Sequence, residues 1–159
     1  MAASVGTEAG TRLLGLGNEI LGDDALGIRV AQEARRRFQD KLQVVCSSAA
    51  GFDLLDDLLG VARLFVVDTV VTGTCEPGTV YVFRADEFQS APCGSPHFVG
   101  LFELLRVGKE LELPLPLEIV VVAVEAAECS TVGGIMNPAV EAAIPRVLDL
   151  VERFLQSDP

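Results

Sequence analysis

The chain has 159 residues, half of them hydrophobic, which is enough to bury the core of one compact domain. Its net charge is −11, so binding to a nucleic-acid backbone, which needs a basic face, is not expected. No apolar run approaches the roughly 18 residues of a membrane helix, and we predict a cytoplasmic protein that binds neither nucleic acid nor membranes.

The N-terminal residues and the cysteines agree with that location. Residues 1–10 are small and polar and lack the apolar core of a signal peptide, so we expect a disordered tail. Four cysteines are scattered without a CxxC pair, which indicates reduced thiols. A zinc site formed by His97 with Cys75, Cys93 and Cys129 is conceivable, but their spacing does not support it.

Hydrophobic patterning predicts strands that alternate with helices. In chain order we predict strand 12–16, helix 24–38, strand 42–46, helix 50–59, strands 63–68 and 79–84, helix 96–110, strand 117–124 and helix 138–155. Ser95 is a good N-cap for the third helix, and Pro96 suits its first position. The alternation predicts a three-layer α/β/α domain around a mostly parallel sheet of about five strands. Strand 79–84 follows its predecessor without a helix, so it should be antiparallel and make the sheet mixed.

The segment 13–27 is the most informative part of the chain. Its pattern indicates a buried strand, then a glycine turn with an exposed Asn18, and then the acid pair Asp23 and Asp24 at the start of a helix. A helix N-terminus favours carboxylates, and open α/β sheets bind ligands at the carboxyl ends of their strands. A dinucleotide is not expected, because the third glycine of GxGxxG would fall at Ile20 and the two acids would repel a pyrophosphate.

Three residues could share one site at that edge of the sheet. Asp24 follows the first strand and Asp68 closes strand 63–68, while His97 is the only histidine and lies at a helix start. Two carboxylates and an imidazole suit a divalent metal such as Zn, Ni, Mn or Fe. Simpler interpretations stay open: Asp23 or Asp24 could cap a helix, Asp68 could be an ordinary strand-end acid, and a lone histidine is more often structural.

These motifs resemble a known family. Gly15-Leu16-Gly17-Asn18 followed by Asp23-Asp24-Ala25-Leu26-Gly27 resembles the opening motif of the [NiFe]-hydrogenase maturation endopeptidases. The resemblance continues through Val66-Val67-Asp68, Pro77-Gly78-Thr79, Ser95-Pro96-His97 and the closing strand and helix. It implies a three-layer, phosphorylase/hydrolase-like α/β fold around a twisted mixed sheet. It also implies an endopeptidase that removes the C-terminal extension of a hydrogenase large-subunit precursor after nickel insertion.

The resemblance assigns roles to particular residues. The family's metal trio of acid, acid and histidine corresponds by motif to Asp24, Asp68 and His97, whereas Asp23 matches a position of less clear role. The chain shows no Ser-His-Asp or Cys-His set, so we expect attack by water. In one version a metal on the trio polarises the scissile carbonyl or lowers the pKa of bound water. In the other, the trio docks onto nickel presented by the precursor and a carboxylate activates the water, with Asp23 as the candidate general base beside Asp24 and Asp68.

The resemblance leaves some points open. The alternative function is a non-cleaving, metal-binding assembly factor or chaperone for a hydrogenase-like enzyme, which would release no peptide. We expect a monomer that binds its precursor transiently, and another divalent metal could replace nickel. The segment 125–137, with Gly133-Gly134, looks long and flexible, so substrate selection could differ there. Cys93 has no role in the family pattern.

Overall fold

The structure is a computed structural model that describes residues 10–84, 87 and 96–157, apart from the side chains of Pro96 and Val99. Residues 1–9 of the expected tail, the expected N-cap Ser95 and the unassigned Cys93 lie outside the described residues. Within the described part of the chain, no helix is both long and apolar enough to span a bilayer.

A five-stranded sheet forms the centre of the described residues. Its strands are β1 (Thr11–Leu16), β2 (Gln43–Ser47), β3 (Arg63–Val70), β4 (Val80–Arg84) and β5 (Glu118–Glu125). They lie in the order β2-β1-β3-β5-β4. The first four in this order are parallel, and β4 pairs antiparallel with β5. The mostly parallel, mixed sheet is therefore confirmed, and so is the antiparallel place of β4.

Helices cover both faces of this sheet. They are α1 (Leu26–Phe38), α2 (Leu55–Leu58), α3 (Pro96–Glu110), α4 (Pro138–Glu141) and α5 (Ile144–Gln156). Because neighbouring strand residues point to opposite faces, Leu13 and Phe65 pack in one cluster with α1 and α5, while Leu14 and Val66 pack in the other with α2 and α3. The three-layer prediction is confirmed.

Three predicted elements end or break at other residues than expected. β3 continues past Asp68 to Val70, which stays buried and pairs with β5, so Asp68 lies inside the strand and does not close it. The helix predicted at 50–59 is a 3₁₀ turn followed by α2, and it stops before Gly60, whose φ is +82°. The last helix is interrupted between α4 and α5, because Pro145 lacks the N–H that would continue it.

Candidate functional site

Close backbone approach shapes the turn between β1 and α1. Gly17 has a φ of +141°, and a Cβ there would overlap the carbonyl oxygen of Asp24. A Cβ at Gly27 would likewise overlap the carbonyl oxygen of Leu16. The N–H of Asn18 donates to the Asp24 carbonyl at 3.3 Å, and Oδ1 of Asn18 accepts the N–H of Ile20 at 3.1 Å. These contacts hold Asp24 just beyond the carboxyl end of β1.

Asp24, Asp68 and His97 come together from three separate elements. Each offers one donor atom, and these atoms lie within 4.8 Å of one another. Nδ1 of His97, near the start of α3, is 3.2 Å from Oδ2 of Asp68 in β3. Oδ1 of Asp68 accepts the N–H of Thr69 at 2.8 Å, and the Thr69 hydroxyl donates to Oδ1 of Asp24 at 3.3 Å. Asp68 is fully buried, whereas Asp24 and His97 are partly exposed.

The electrostatics of this trio favour a bound cation. Burial raises the pKa of Asp24 the most, and the negative charge of Asp68 raises it further. The hydrogen bond to Asp68 raises the pKa of His97 and outweighs burial, which acts in the opposite direction. The two carboxylates therefore repel each other, and both stabilise a positive charge on a group that lies beside them. Two carboxylate oxygens and an imidazole nitrogen at this spacing fit the donor set of a divalent metal.

One pocket gives access to the trio, and a second pocket adjoins it. One, of about 540 Å³, is lined by Asp24 and His97 together with Gly17, Asn18, Ser48 and residues 127–130. The other, of about 530 Å³, shares Gly17, Asn18 and Ser48 with it and reaches Arg35 and Cys46. Residues 17–18, 48 and 127–130 all follow the carboxyl ends of parallel strands, which is the edge where open α/β sheets bind ligands.

Asp23 lies in a different environment from its neighbour Asp24. Its Oδ2 accepts the N–H groups of Ala127 and Glu128 at 2.8 and 3.3 Å, and its Oδ1 accepts the N–H of Asn137 at 2.6 Å. The residue is 3% exposed. The interpretation of Asp23 or Asp24 as a helix cap is wrong, because neither the 3₁₀ turn nor α1 has a side-chain cap. Both carboxylate oxygens of Asp23, the predicted general base, thus accept hydrogen bonds from backbone N–H groups.

Sequence reasoning missed Thr69, and it considered Cys129 only as a zinc ligand. Sγ of Cys129 lies 3.6 Å from the Thr69 hydroxyl and lines the pocket beside Asp24. Burial raises the pKa of Cys129 to about 11, so this thiol stays protonated and is a weak nucleophile. Their positions in the sequence could have indicated that both residues lie near the site, because Thr69 follows Asp68 directly and Cys129 lies soon after the end of β5.

The zinc site considered from the sequence is not the cluster that the structure brings together. Among the described residues, the group with metal-donor spacing is Asp24, Asp68 and His97, without a cysteine. Cys75 is exposed and Cys129 is half-buried. Cys93, the third cysteine of that alternative, lies outside the described residues.

Sequence comparisons match this chain to hydrogenase maturation and formation proteins. A family model described as hydrogenase maturation protease (HycI) matches residues 28–154, a range that contains Asp68 and His97 and starts after Asp24. The Hydrogenase 2 maturation protease of Escherichia coli (strain K12) is 31% identical over 144 residues, which cover 87% of this chain and 86% of the relative. Hydrogenase expression/formation protein HupM of Azotobacter chroococcum mcd 1 is 29% identical over 155 residues, covering 94% and 73% of the two chains.

Solved structures show the same architecture. The hydrogenase maturating endopeptidase HybD from E. coli superposes with a TM-score of 0.76 at 27% identity, covering 92% of this chain and 91% of that one. The [NiFe] hydrogenase maturation protease HybD from Thermococcus kodakarensis has a TM-score of 0.71 at 22% identity, covering 91% and 98%, and it supports the fold alone.

Proposed function

The chain belongs to the hydrogenase maturation protease family and is a hydrolase, and on that premise we propose that it removes the C-terminal extension of a [NiFe]-hydrogenase large-subunit precursor once nickel has been inserted. The observation that carries this proposal is the cluster of Asp24, Asp68 and His97 beside an open pocket, with donor atoms within 4.8 Å of one another. This donor set suits a divalent metal ion, so it supports recognition of a metal-loaded precursor.

Nickel belongs to the substrate in this proposal, because the precursor carries it to the protease. Carboxylate and imidazole groups are suitable ligands for Ni²⁺, and its positive charge would offset the repulsion between Asp24 and Asp68. The trio therefore acts as a recognition element for the metal-loaded precursor. A nickel-free precursor lacks this contact and should bind more weakly.

The chemistry of the described residues favours hydrolysis by water. The cysteine that lines the pocket beside the trio, Cys129, has its pKa raised to about 11 by burial and does not supply a thiolate near neutral pH. Asp24 lines the pocket beside the trio, so its carboxylate can reach a water molecule bound there. A metal held at the trio would supply carbonyl polarisation and a lower pKa for bound water. We propose Asp24 as the carboxylate that takes the proton from the attacking water, while Asp68 orients His97.

The test is a cleavage assay with the nickel-loaded large-subunit precursor, using the nickel-free precursor as control and subunit mass as the readout. We expect the C-terminal peptide to be lost from the loaded precursor alone. Asp24→Asn should abolish the cleavage. Asp40→Asn, a matched change at an exposed acid in the turn after α1, should leave it unchanged.

Two other results would contradict the proposal in different ways. Equal cleavage of both precursors would remove the role of nickel recognition and leave a metal-independent protease. Cleavage of neither precursor, with Ni²⁺ binding retained, would favour the non-cleaving assembly factor with the same trio.

A further inference from the structure

We propose that Asp23 is a positioning residue, whose buried carboxylate holds the post-β5 loop, residues 126–137, as one wall of the active-site pocket and so sets substrate affinity. The effect on substrate affinity rests on the proposed function above. The role differs from the general base predicted for Asp23, because it acts through the loop and not on the reacting atoms.

The contacts of Asp23 join the two ends of the loop. Oδ2 accepts N–H groups at the start of the loop, from Ala127 at 2.8 Å and Glu128 at 3.3 Å. Oδ1 accepts the N–H of Asn137 at its end, at 2.6 Å. Hydrogen bonds to an ionised oxygen are roughly twice as strong as neutral ones. One side chain therefore joins the two ends of the loop.

Burial makes this arrangement sensitive to substitution. Asp23 is 3% exposed, and within the described residues no cation lies within salt-bridge distance of it. Its charge is therefore compensated by the loop backbone. Removing an acceptor would leave buried N–H groups without a partner, which favours opening of the loop.

The middle of the loop is attached to the same turn. The N–H of Gly133 donates to the carbonyl of Ile20 at 2.7 Å, and Leu21 forms an isolated parallel bridge with Gly134. The segment expected to be flexible is thus fastened to the β1–α1 turn at both ends and in the middle.

The loop borders the pocket, whereas the trio is held mainly by contacts outside the loop; Cys129 of the loop lies 3.6 Å from the Thr69 hydroxyl. Residues 127–130 line the same pocket as Asp24 and His97. Asp24 is held by Thr69 and by its carbonyl bond to Asn18. Loosening the loop should therefore change the substrate-binding wall and leave the metal-donor cluster intact.

Asp23→Asn provides the test, because it keeps the shape of the side chain and replaces one acceptor oxygen with a donor. Three quantities are measured: amide hydrogen exchange of residues 126–137, binding and cleavage of the nickel-loaded precursor, and binding of Ni²⁺ alone. We expect faster exchange at residues 127, 128 and 137. We also expect a rise of about tenfold in both Kd and KM for the precursor, with kcat and Ni²⁺ affinity within about threefold of the wild type.

Matched controls separate this role from general damage. Asp24→Asn should lose kcat and Ni²⁺ binding without faster exchange in the loop, and Asp40→Asn should change nothing. If Asp23→Asn does not fold, Asn137→Pro takes its place, since it removes the N–H that bonds to Asp23 at a residue whose φ of −57° suits proline. Asn137→Ala is its control, because it loses the same side-chain cap and retains that N–H.

Three outcomes would overturn the proposal. Loss of kcat with unchanged loop exchange would identify Asp23 as the general base. Faster exchange with unchanged KM and Kd would show that the wall does not set substrate affinity. Unchanged exchange would show that the loop does not depend on Asp23. If the wild type cleaves no precursor, the proposed function fails, and loop exchange and precursor Kd still decide the role of Asp23.

Discussion

Gly17→Ala is the substitution for which the structure makes the sharpest stability prediction. Gly17 has a φ of +141°, where an L side chain is strained at a cost of about 1–3 kcal/mol. The added Cβ would also overlap the backbone carbonyl oxygen of Asp24, which cannot move aside by changing a rotamer. Overpacking of this kind adds typically about 1–3 kcal/mol, so the free energy of unfolding should fall by about 2–6 kcal/mol in total.

Gly60→Ala is the matched control, because Gly60 has a φ of +82° and a Cβ there would meet nothing within 4 Å. It should cost only the conformational strain, about 1–2 kcal/mol. For a chain of this length, 1 kcal/mol corresponds to about 2–4 °C in Tm. The overlap contribution alone, about 1–3 kcal/mol, should therefore place the Tm of Gly17→Ala about 2–12 °C below that of Gly60→Ala.

The same substitution should also reduce function, since the overlap pushes against the backbone of Asp24. Ni²⁺ binding and precursor cleavage should both weaken in Gly17→Ala and stay near the wild type in Gly60→Ala. Equal Tm values for the two variants would refute the argument that close approach at Asp24, and not φ alone, requires glycine at position 17.

Three further predictions follow from the trio and from one buried cation. Asp68→Asn should lower the pKa of both Asp24 and His97, since Asp68 raises both, and NMR titration measures this change. It should also weaken Ni²⁺ binding by about 100-fold or more, which calorimetry measures. Because His97 must release a proton to bind a metal and its pKa is raised above the usual value of about 6.5, Ni²⁺ affinity should rise as the pH rises through and above that value. Calorimetry that shows no pH dependence would contradict this. Arg63→Met should cost about 1–3 kcal/mol in denaturant unfolding, because it removes the 2.7 Å partner of Glu118 while Arg84 remains at 3.7 Å. No measurable loss would show that the Arg63–Glu118 pair does not stabilise the fold.

Much of the fold could be predicted because burial is recorded locally in the sequence. The continuous apolar runs of β3 and β5 and the helical spacing of α1 each reflect the face that an element buries. Element ends were less well predicted. Pro145 breaks the last helix although the apolar spacing continues through it, and β3 extends past Asp68 because Val70 still pairs with β5.

At the site, too, some features could be predicted from the sequence and others depended on the tertiary structure. The sequence indicated that Asp24 and Asp68 could meet, because parallel strands end at one edge of the sheet, and the family resemblance named these two acids together with His97. Only the tertiary structure separated Asp23 from Asp24, two adjacent acids with the same local pattern. Asp24 lines the pocket, whereas the partners of Asp23 are backbone groups 104 to 114 residues further along the chain. Contacts at such separations depend on how the sheet and its loops pack, and no local pattern of residues records them.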